Sequence, residues 1–584
     1  MASLRAAAVP SWAVHRLEAR ALRLLAALVS VALLATASPT LAAPAKSKAA
    51  AARALDAGAV ASPDRYGALA AQEILKAGGN AVDAAVATGF ALAVTYPEAG
   101  NLGGGGFMTL YVNGKPYFLD YRETAPAAAS ADMYLGKDGQ PIADLSLFGN
   151  LAAGTPGTVR GLAVAHKRFG KLSWARVLAP AIRYAREGFQ VNDQFAGVLL
   201  KEVPPQFAAT NFRDYFAPVK AGTMFRQPEL AATLERIAKE GDKAFYEGKT
   251  ADLIVAQMQR GPVKGLITKA DLAGYKAVWR APVTAKWRGY DVITAPPPSS
   301  GGIALMQMLL MKQDLSPKFK GVALNSPQYV HLLAEIEKRV YADRAEYLGD
   351  PDFVKVPVSN LIDPAYVARR AREVDPDKPS VTKAVAPGLE KPQTTHYSIV
   401  DKWGNAVSNT YTLNGWFGSG VVVEGAGFLL NDEMDDFSAK PGAPNVYGVV
   451  GGAANAIAPF KRPLSSMTPT ILVKDGRPAM VIGTPGGSRI FTWVFQVLAN
   501  VYDFKLSLKA AQNAPRYHHQ LLPENVIFFE PGYPPPAALK GALEGRGYKW
   551  VEDFSGDMEA IQVVGRMPVP EADPRARGVG VVVR

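Results

Sequence analysis

Two short turns constrain this chain more than any other feature. Asn113-Gly114 joins two alternating segments in FMTLYVNGKPYFLDYRE, and Asp475-Gly476 does the same in TILVKDGRPAMVIG. Asn-Gly and Asp-Gly pairs supply the two positive-φ residues that a tight hairpin needs, so each pair marks antiparallel strands. A third hairpin, THYSIV and AVSNTYTLN, turns through DKWGN. Between the first hairpin and the other two, residues 157 to 373 read mostly as helix, in VRGLAVAHKRF, WARVLAPAIRYARE, PELAATLERIAKE and SPQYVHLLAEIEKRVYADRAEYLG. Hairpins at both ends with helices around them predict an α/β layered fold, antiparallel sheets covered by helices, and argue against a parallel doubly wound sheet.

Local signals sharpen this outline. RYGALAAQEILKAG has helical periodicity, and Asn80 with Asp83 three residues later forms a capping-box pattern before the small-residue helix AVDAAVATGFALAV. PPPSSGG, Pro296 to Gly302, reads as a rigid turn into IALMQMLLM. From Asp375 to Pro392 proline and charge accumulate, which predicts an exposed, poorly packed segment and a boundary.

The first forty-odd residues belong to another class of segment. Arg5, Arg16, Arg20 and Arg23 precede a 14-residue apolar run, Leu24 to Ala37, followed by small residues. A membrane-spanning helix needs about 20 apolar residues, so a cleaved export signal ending near Ala43 fits better than an anchor. The chain has no cysteine, hence neither disulfides nor a lipid-attachment site. This points to a periplasmic or secreted protein. The formal charge of +12 falls to about +9 without that segment, and the remaining basic residues form no patch, so nucleic acid is not an expected partner.

The third hairpin carries the chemistry. A turn centred on Trp403 pairs residues whose numbers sum to about 806, which sets Thr394 opposite Thr412; Thr410, Thr412 and Asn414 then share one strand face. Threonine stripes are also ordinary strand surface. An internal threonine lacks a base, but a threonine at a new chain end carries one, because an α-amine with a pKa of about 7.7 to 8.0 is substantially neutral near pH 7.5. Cleavage between Gln393 and Thr394 would unite nucleophile and base in one residue.

GNAVDAAVATGFALAVTYPEAGNLGGGGFM, DYRETAP, PPPSSGGI, TTHYSIVDKWGNAVSNTYTLN, GFLLNDEMDDFS, KRPLSSMTP and GTPGGSRI occur in order between Tyr66 and Gln520. Together they resemble the gamma-glutamyltransferase (gamma-glutamyltranspeptidase) family. The resemblance implies an N-terminal-nucleophile hydrolase: a four-layer αββα sandwich made as one precursor. Self-cleavage would give a large subunit (residues 44 to 393) and a small one (394 to 584) that remain together as a heterodimer. It also implies γ-glutamyl substrates such as glutathione, amino acid or peptide acceptors, and no metal or organic cofactor.

By the same resemblance Thr394 is the nucleophile and Thr412 the residue that orients it. Arg122 grips the substrate α-carboxylate, aided by Ser465 and Ser466, while Asn414, Glu433 and Asp436 receive the α-ammonium. Gly486 and Gly487 supply the oxyanion-hole amides, and Tyr447 lies on a loop over the glutamyl group. Without the resemblance, Arg122 also fits a surface ion pair, Asp435-Asp436 a cap, Ser465-Ser466 turn chemistry, and Gly103 to Gly106 tight turns. GGGG lacks the Lys-Ser/Thr of a phosphate loop, His518-His519 lacks a third ligand, and no serine lies in a GxSxG elbow. An acylase for glutaryl groups and an unprocessed, catalytically silent relative are the competing readings.

Overall fold

The computed structural model describes residues 53 to 381, 394 to 438, 452 to 554 and 556 to 584. The expected export signal, the linker after it, Gln393 and Tyr447 lie outside the described residues.

The main strands, in chain order, are β1 (Gly58–Ser62), β2 (Gly105–Val112), β3 (Lys115–Asp120), β4 (Val278–Arg280), β5 (Val283–Trp287), β6 (Tyr290–Thr294), β7 (Thr395–Val400), β8 (Ala406–Thr412), β9 (Thr470–Lys474), β10 (Arg477–Gly483), β11 (Glu559–Val564), β12 (Met567–Ala572) and β13 (Val579–Val583). They form two sheets, ordered β13-β1-β7-β8-β2-β3-β4 and β12-β11-β10-β9-β6-β5, with antiparallel neighbours throughout.

The sheets face each other. Ala59, Tyr111 and Val400 of the first pack with Ile293, Ile471, Val481 and Ile561 of the second. Helices α1 (Arg65–Lys76), α2 (Ala81–Thr95), α3 (Thr158–Phe169) and α4 (Trp174–Glu187) cover the outside of the first sheet. Helices α5 (Gly301–Asp314), α6 (Pro327–Tyr347) and α7 (Ile490–Tyr502) cover the second, with Leu333, Phe491 and Val494 packed on Leu472, Met480 and Ile482. This is the four-layer αββα sandwich that the motifs imply.

The expected local devices are present. Asn80 and Asp83 form the capping box of α2, whose residues are all buried. Asn113-Gly114 and Asp475-Gly476 turn with positive φ at both positions. The β7–β8 turn is held by Asp401 Oδ1, which accepts the main-chain N–H groups of Trp403 and Asn405. Its register pairs Thr395 with Tyr411 and Asn409 with Tyr397, the arithmetic read from the sequence.

The middle region is mostly helical, as expected, with one addition and one correction. The addition is that β5 and β6 form a hairpin there that joins the second sheet. Its turn, Arg288-Gly289, also takes positive φ at both residues, but arginine is not a turn-forming residue, so the signal was silent. The described start of the proline-rich segment is exposed as expected, at Asp375, Asp377, Lys378 and Val381, but the correction is that it is tethered. His331 Nε2 meets the Asp375 carbonyl at 2.9 Å, and Ser380 N–H donates to Glu335 at 3.1 Å, fixing residues 375 to 380 along α6.

Candidate active site

Side-chain parity along β7 and β8 fixes which groups face inward between the sheets. Tyr397 and Tyr411 point to the helical layer, where their hydroxyls donate to the carbonyls of Ala85 and Gly89. The alternate residues face the second sheet: Ser398 donates to the Glu559 carbonyl and Ser408 to the Ile482 carbonyl. Extending the β7–β8 register by one pair sets Thr394 opposite Thr412, on this inner face. Thr394 is 5% exposed and Thr412 is 2% exposed, so both hydroxyls are shielded from bulk water.

Thr412 is held at each end. Its hydroxyl accepts Asn414 N–H at 2.8 Å, and its carbonyl accepts Asn101 Nδ2 at 2.9 Å. Asn101 Oδ1 in turn receives Gly104 N–H and the Thr158 hydroxyl. Asn414 has φ of 78° and donates to the Asp432 carbonyl at 3.0 Å, tying β8 to the GFLLNDEMDDFS segment.

His396, two residues along the strand from Thr394 and on the same face, meets Thr410 Oγ1 at 2.8 Å and Ser398 Oγ at 3.0 Å. Burial lowers its pKa to about 3, so the imidazole is too weak a base to take a proton from a threonine.

Arg122 follows the end of β3, whose neighbour β2 begins at Gly105 opposite Thr412. The arginine is 1% exposed and its guanidinium contacts the carboxylates of Glu433 and Asp436, with Glu123 at 3.8 Å. Burial disfavours the charged guanidinium, but Glu433, Asp436 and Glu123 outweigh it and raise the pKa. Nε and Nη2 also reach the carbonyls of Pro463 and Leu464 at 3.3 and 3.4 Å, linking Arg122 to the LSSM segment. Thus Arg122 is not a surface ion pair; it is a buried hub.

Glu123 is the part of DYRETAP that sequence reasoning passed over. Burial raises its pKa to about 7 against the opposing charge of Arg122. Gly105 makes room for it, since a Cβ there would lie 2.5 Å from Glu123 Oε2. Burial likewise raises Glu433 well above the carboxylate range, with Arg122 opposing the shift. Asp435, which fits a cap from sequence, receives the Ser146 hydroxyl at 2.5 Å.

Ser465 Oγ accepts Met467 N–H at 3.1 Å, and its carbonyl accepts the Ser300 hydroxyl at 2.8 Å. Ser466 Oγ accepts Arg344 Nη2 at 3.2 Å. The PPPSSGG turn therefore braces LSSM, a contact between distant segments that no local pattern announces.

Gly486 and Gly487 stand before α7, with φ of 144° and 52°. A Cβ on Gly486 would sit 2.5 Å from the Trp493 ring, so both conformation and space require glycine. Three residues earlier, Gly483 abuts His396 so closely that a Cβ would lie 2.3 Å from the ring. The glycine pair and Thr394 consequently leave their strands at the same end of the sandwich. His518 bonds Thr492 and Gln520, and His519 Nδ1 accepts Leu521 N–H, so both imidazoles have structural partners. Among the described residues no group of three His, Cys, Asp or Glu side chains could hold a metal.

The sequence profile of the family described as gamma-glutamyltranspeptidase matches residues 67–583. The chain belongs to the gamma-glutamyltranspeptidase family. It is 62% identical over 533 residues to a Pseudomonas aeruginosa protein named glutathione hydrolase proenzyme, covering 91% of this chain and 95% of that one. A solved chain of gamma-glutamyltranspeptidase from Pseudomonas nitroreducens complexed with L-DON is 60% identical, with a TM-score of 0.55, covering 57% of this chain and 98% of that chain. A cephalosporin acylase from Bacillus halodurans is 28% identical with a TM-score of 0.75, covering 91% of this chain and 96% of that chain.

Proposed function

We propose that this gamma-glutamyltranspeptidase is an exported precursor that cuts its own Gln393-Thr394 bond and then acts on the γ-glutamyl amide of glutathione and related compounds. Thr394 Oγ attacks the γ-carbonyl carbon, and its proton passes to the Thr394 α-amine. The N–H groups of Gly486 and Gly487 hold the resulting oxyanion. Collapse expels the amine, which takes that proton, and leaves a γ-glutamyl ester on Thr394. Water then gives glutamate and frees the hydroxyl; an amino acid or peptide amine in its place gives a new γ-glutamyl amide.

The observation that carries this reading is the convergence of two chemistries at one end of the sandwich. The Thr394–Thr412 pair lies there beside a neutral, weakly basic His396. Arg122, Glu433 and Asp436 gather a cation and two carboxylic groups on segments tied to β8 through Gly105, paired with Thr412, and through the Asn414–Asp432 contact. A glutamyl head is a zwitterion at its α-carbon, and an arginine fork with an adjacent aspartate matches both its charges. Asn414 supports the ammonium side, and Ser465 and Ser466 the carboxylate side.

Asp436 also separates this reading from a glutaryl acylase, whose substrate lacks the ammonium. No helix among the described residues is long and apolar enough to cross a membrane.

The decisive experiment replaces Thr394 by alanine. The variant stays one polypeptide on a denaturing gel and releases no glutamate from glutathione, whereas the parent yields two fragments, the smaller beginning TTHYS. Normal maturation and turnover by that variant would refute the proposal.

A further inference from the structure

We infer that Asn455 is a positioning residue that sets the distance between the groups addressing the two charged ends of the glutamyl head. The inference rests on the proposed roles of Arg122 and Asp436, and goes beyond them by naming what holds the two apart.

Asn455 is 4% exposed and both polar atoms of its amide are committed to main chain. Nδ2 donates to the Asp436 carbonyl at 2.7 Å, and Oδ1 accepts Leu464 N–H at 3.0 Å. One planar amide therefore bridges the segment carrying the ammonium acceptor and the segment carrying Ser465. The Asn455 carbonyl also receives Ser438 N–H at 2.9 Å. Lys461 Nζ fixes the flanks, donating to the carbonyls of Ala454 and Ala456, each at 2.8 Å.

The Leu464 peptide is gripped from both sides, its N–H by Asn455 and its carbonyl by Arg122. The carboxylate side keeps further ties without Asn455, because Arg122 also reaches the Pro463 carbonyl and Ser300 donates to the Ser465 carbonyl. The ammonium side keeps the Arg122–Asp436 ion pair and the Ser438 N–H bond to the Asn455 carbonyl, but the Asp436 carbonyl would be left without this donor. Only a side chain with a donor at one tip and an acceptor at the other serves both segments. Displacement of a binding group by even 1 Å weakens recognition sharply.

The test compares N455A, N455D and D436N with the parent, each as matured full-length enzyme. KM and kcat are measured with a γ-glutamyl anilide, and inhibition with L-glutamate and with glutarate, which lacks the ammonium. Loss of the bridge in N455A should raise KM about tenfold and leave kcat within about threefold, because Thr394, Gly486 and Gly487 lie on other segments. Inhibition by L-glutamate should weaken about tenfold while that by glutarate changes less than about threefold. N455D, which offers no donor to Asp436, should behave like N455A.

An unchanged KM, a loss confined to kcat, or equal weakening of both inhibitors overturns the inference. If N455A does not mature, the isosteric N455D carries the test; failure of both to mature assigns Asn455 to folding and also overturns it. D436N distinguishes the levels. If it keeps the preference for L-glutamate over glutarate, the reading of Asp436 is wrong; if it loses that preference and N455A keeps it, only the role of Asn455 falls.

Discussion

Arg122 shows how much of the site depends on side-chain shape as well as charge. Its guanidinium spans Glu433, Asp436 and two main-chain carbonyls at once, which an ammonium group cannot do. R122K should therefore raise KM for a γ-glutamyl anilide by about tenfold or more, the loss of a charge-assisted hydrogen bond or two, with a smaller change in kcat. Steady-state kinetics reads this directly, and an unaltered KM would contradict the placement of the substrate carboxylate. Gly486 predicts the opposite split. G486A adds a Cβ against Trp493 and strains a φ of 144°. Displacing one of the proposed oxyanion donors should lower kcat about a hundredfold with little change in KM.

Among the elements, β10 and β11 carry a pH dependence. Asp557 lies just before β11, and its main-chain carbonyl receives the Thr484 hydroxyl from the end of β10. Burial, reinforced by Asp573, raises its pKa from 3.8 to about 7, while Arg577 and Arg516 oppose the shift. The folded carboxyl thus keeps its proton where the unfolded chain has lost it. Its contribution is fully present below about pH 4 and is lost as pH rises through 7. Glu335, lowered to about 2 because Lys338, Ser380 and Arg339 outweigh its burial, works in the other sense and only in acid; Glu559, raised by its burial and by Asp557, works in the same sense as Asp557, so D557N reads the two together. D557N should gain on the parent by roughly 2 °C or more in melting temperature between pH 4 and pH 8. A constant difference across that range would show that Asp557 does not titrate there. The same elements mark the limit of what sequence could tell. The β7–β8 register was legible because a short turn fixes it locally, and the Thr394–Thr412 pairing followed. The β5–β6 hairpin was hidden by Arg288, and Asn101, Arg344 and Asn455 by their partners, which lie far along the chain. Motifs named the residues that would touch substrate; the amides that hold them have no local signature.

In the whole molecule, the two parts that the proposed cleavage would create are interleaved. In the first sheet β7 and β8, after Thr394, lie between β1 and β2, before it, and β13 from the end of the chain pairs with the outer side of β1. In the second sheet β9 pairs with β6 across the same divide. The buried contacts of Arg122 with Glu433 and Asp436 cross it as well. Cutting one peptide bond removes none of these ladders, and separating the fragments would expose sheet edges and the inter-sheet core to water. The matured fragments should therefore elute as one species in native size-exclusion chromatography, at the position of unprocessed T394A, and part only in denaturant. Each fragment made alone should be inactive, because Arg122 lies on the first and Thr394 on the second. Elution of separate fragments under native conditions would mean that the sheets are not shared as described, and the proposed nucleophile could not then be held in one sandwich with the arginine proposed to bind its substrate.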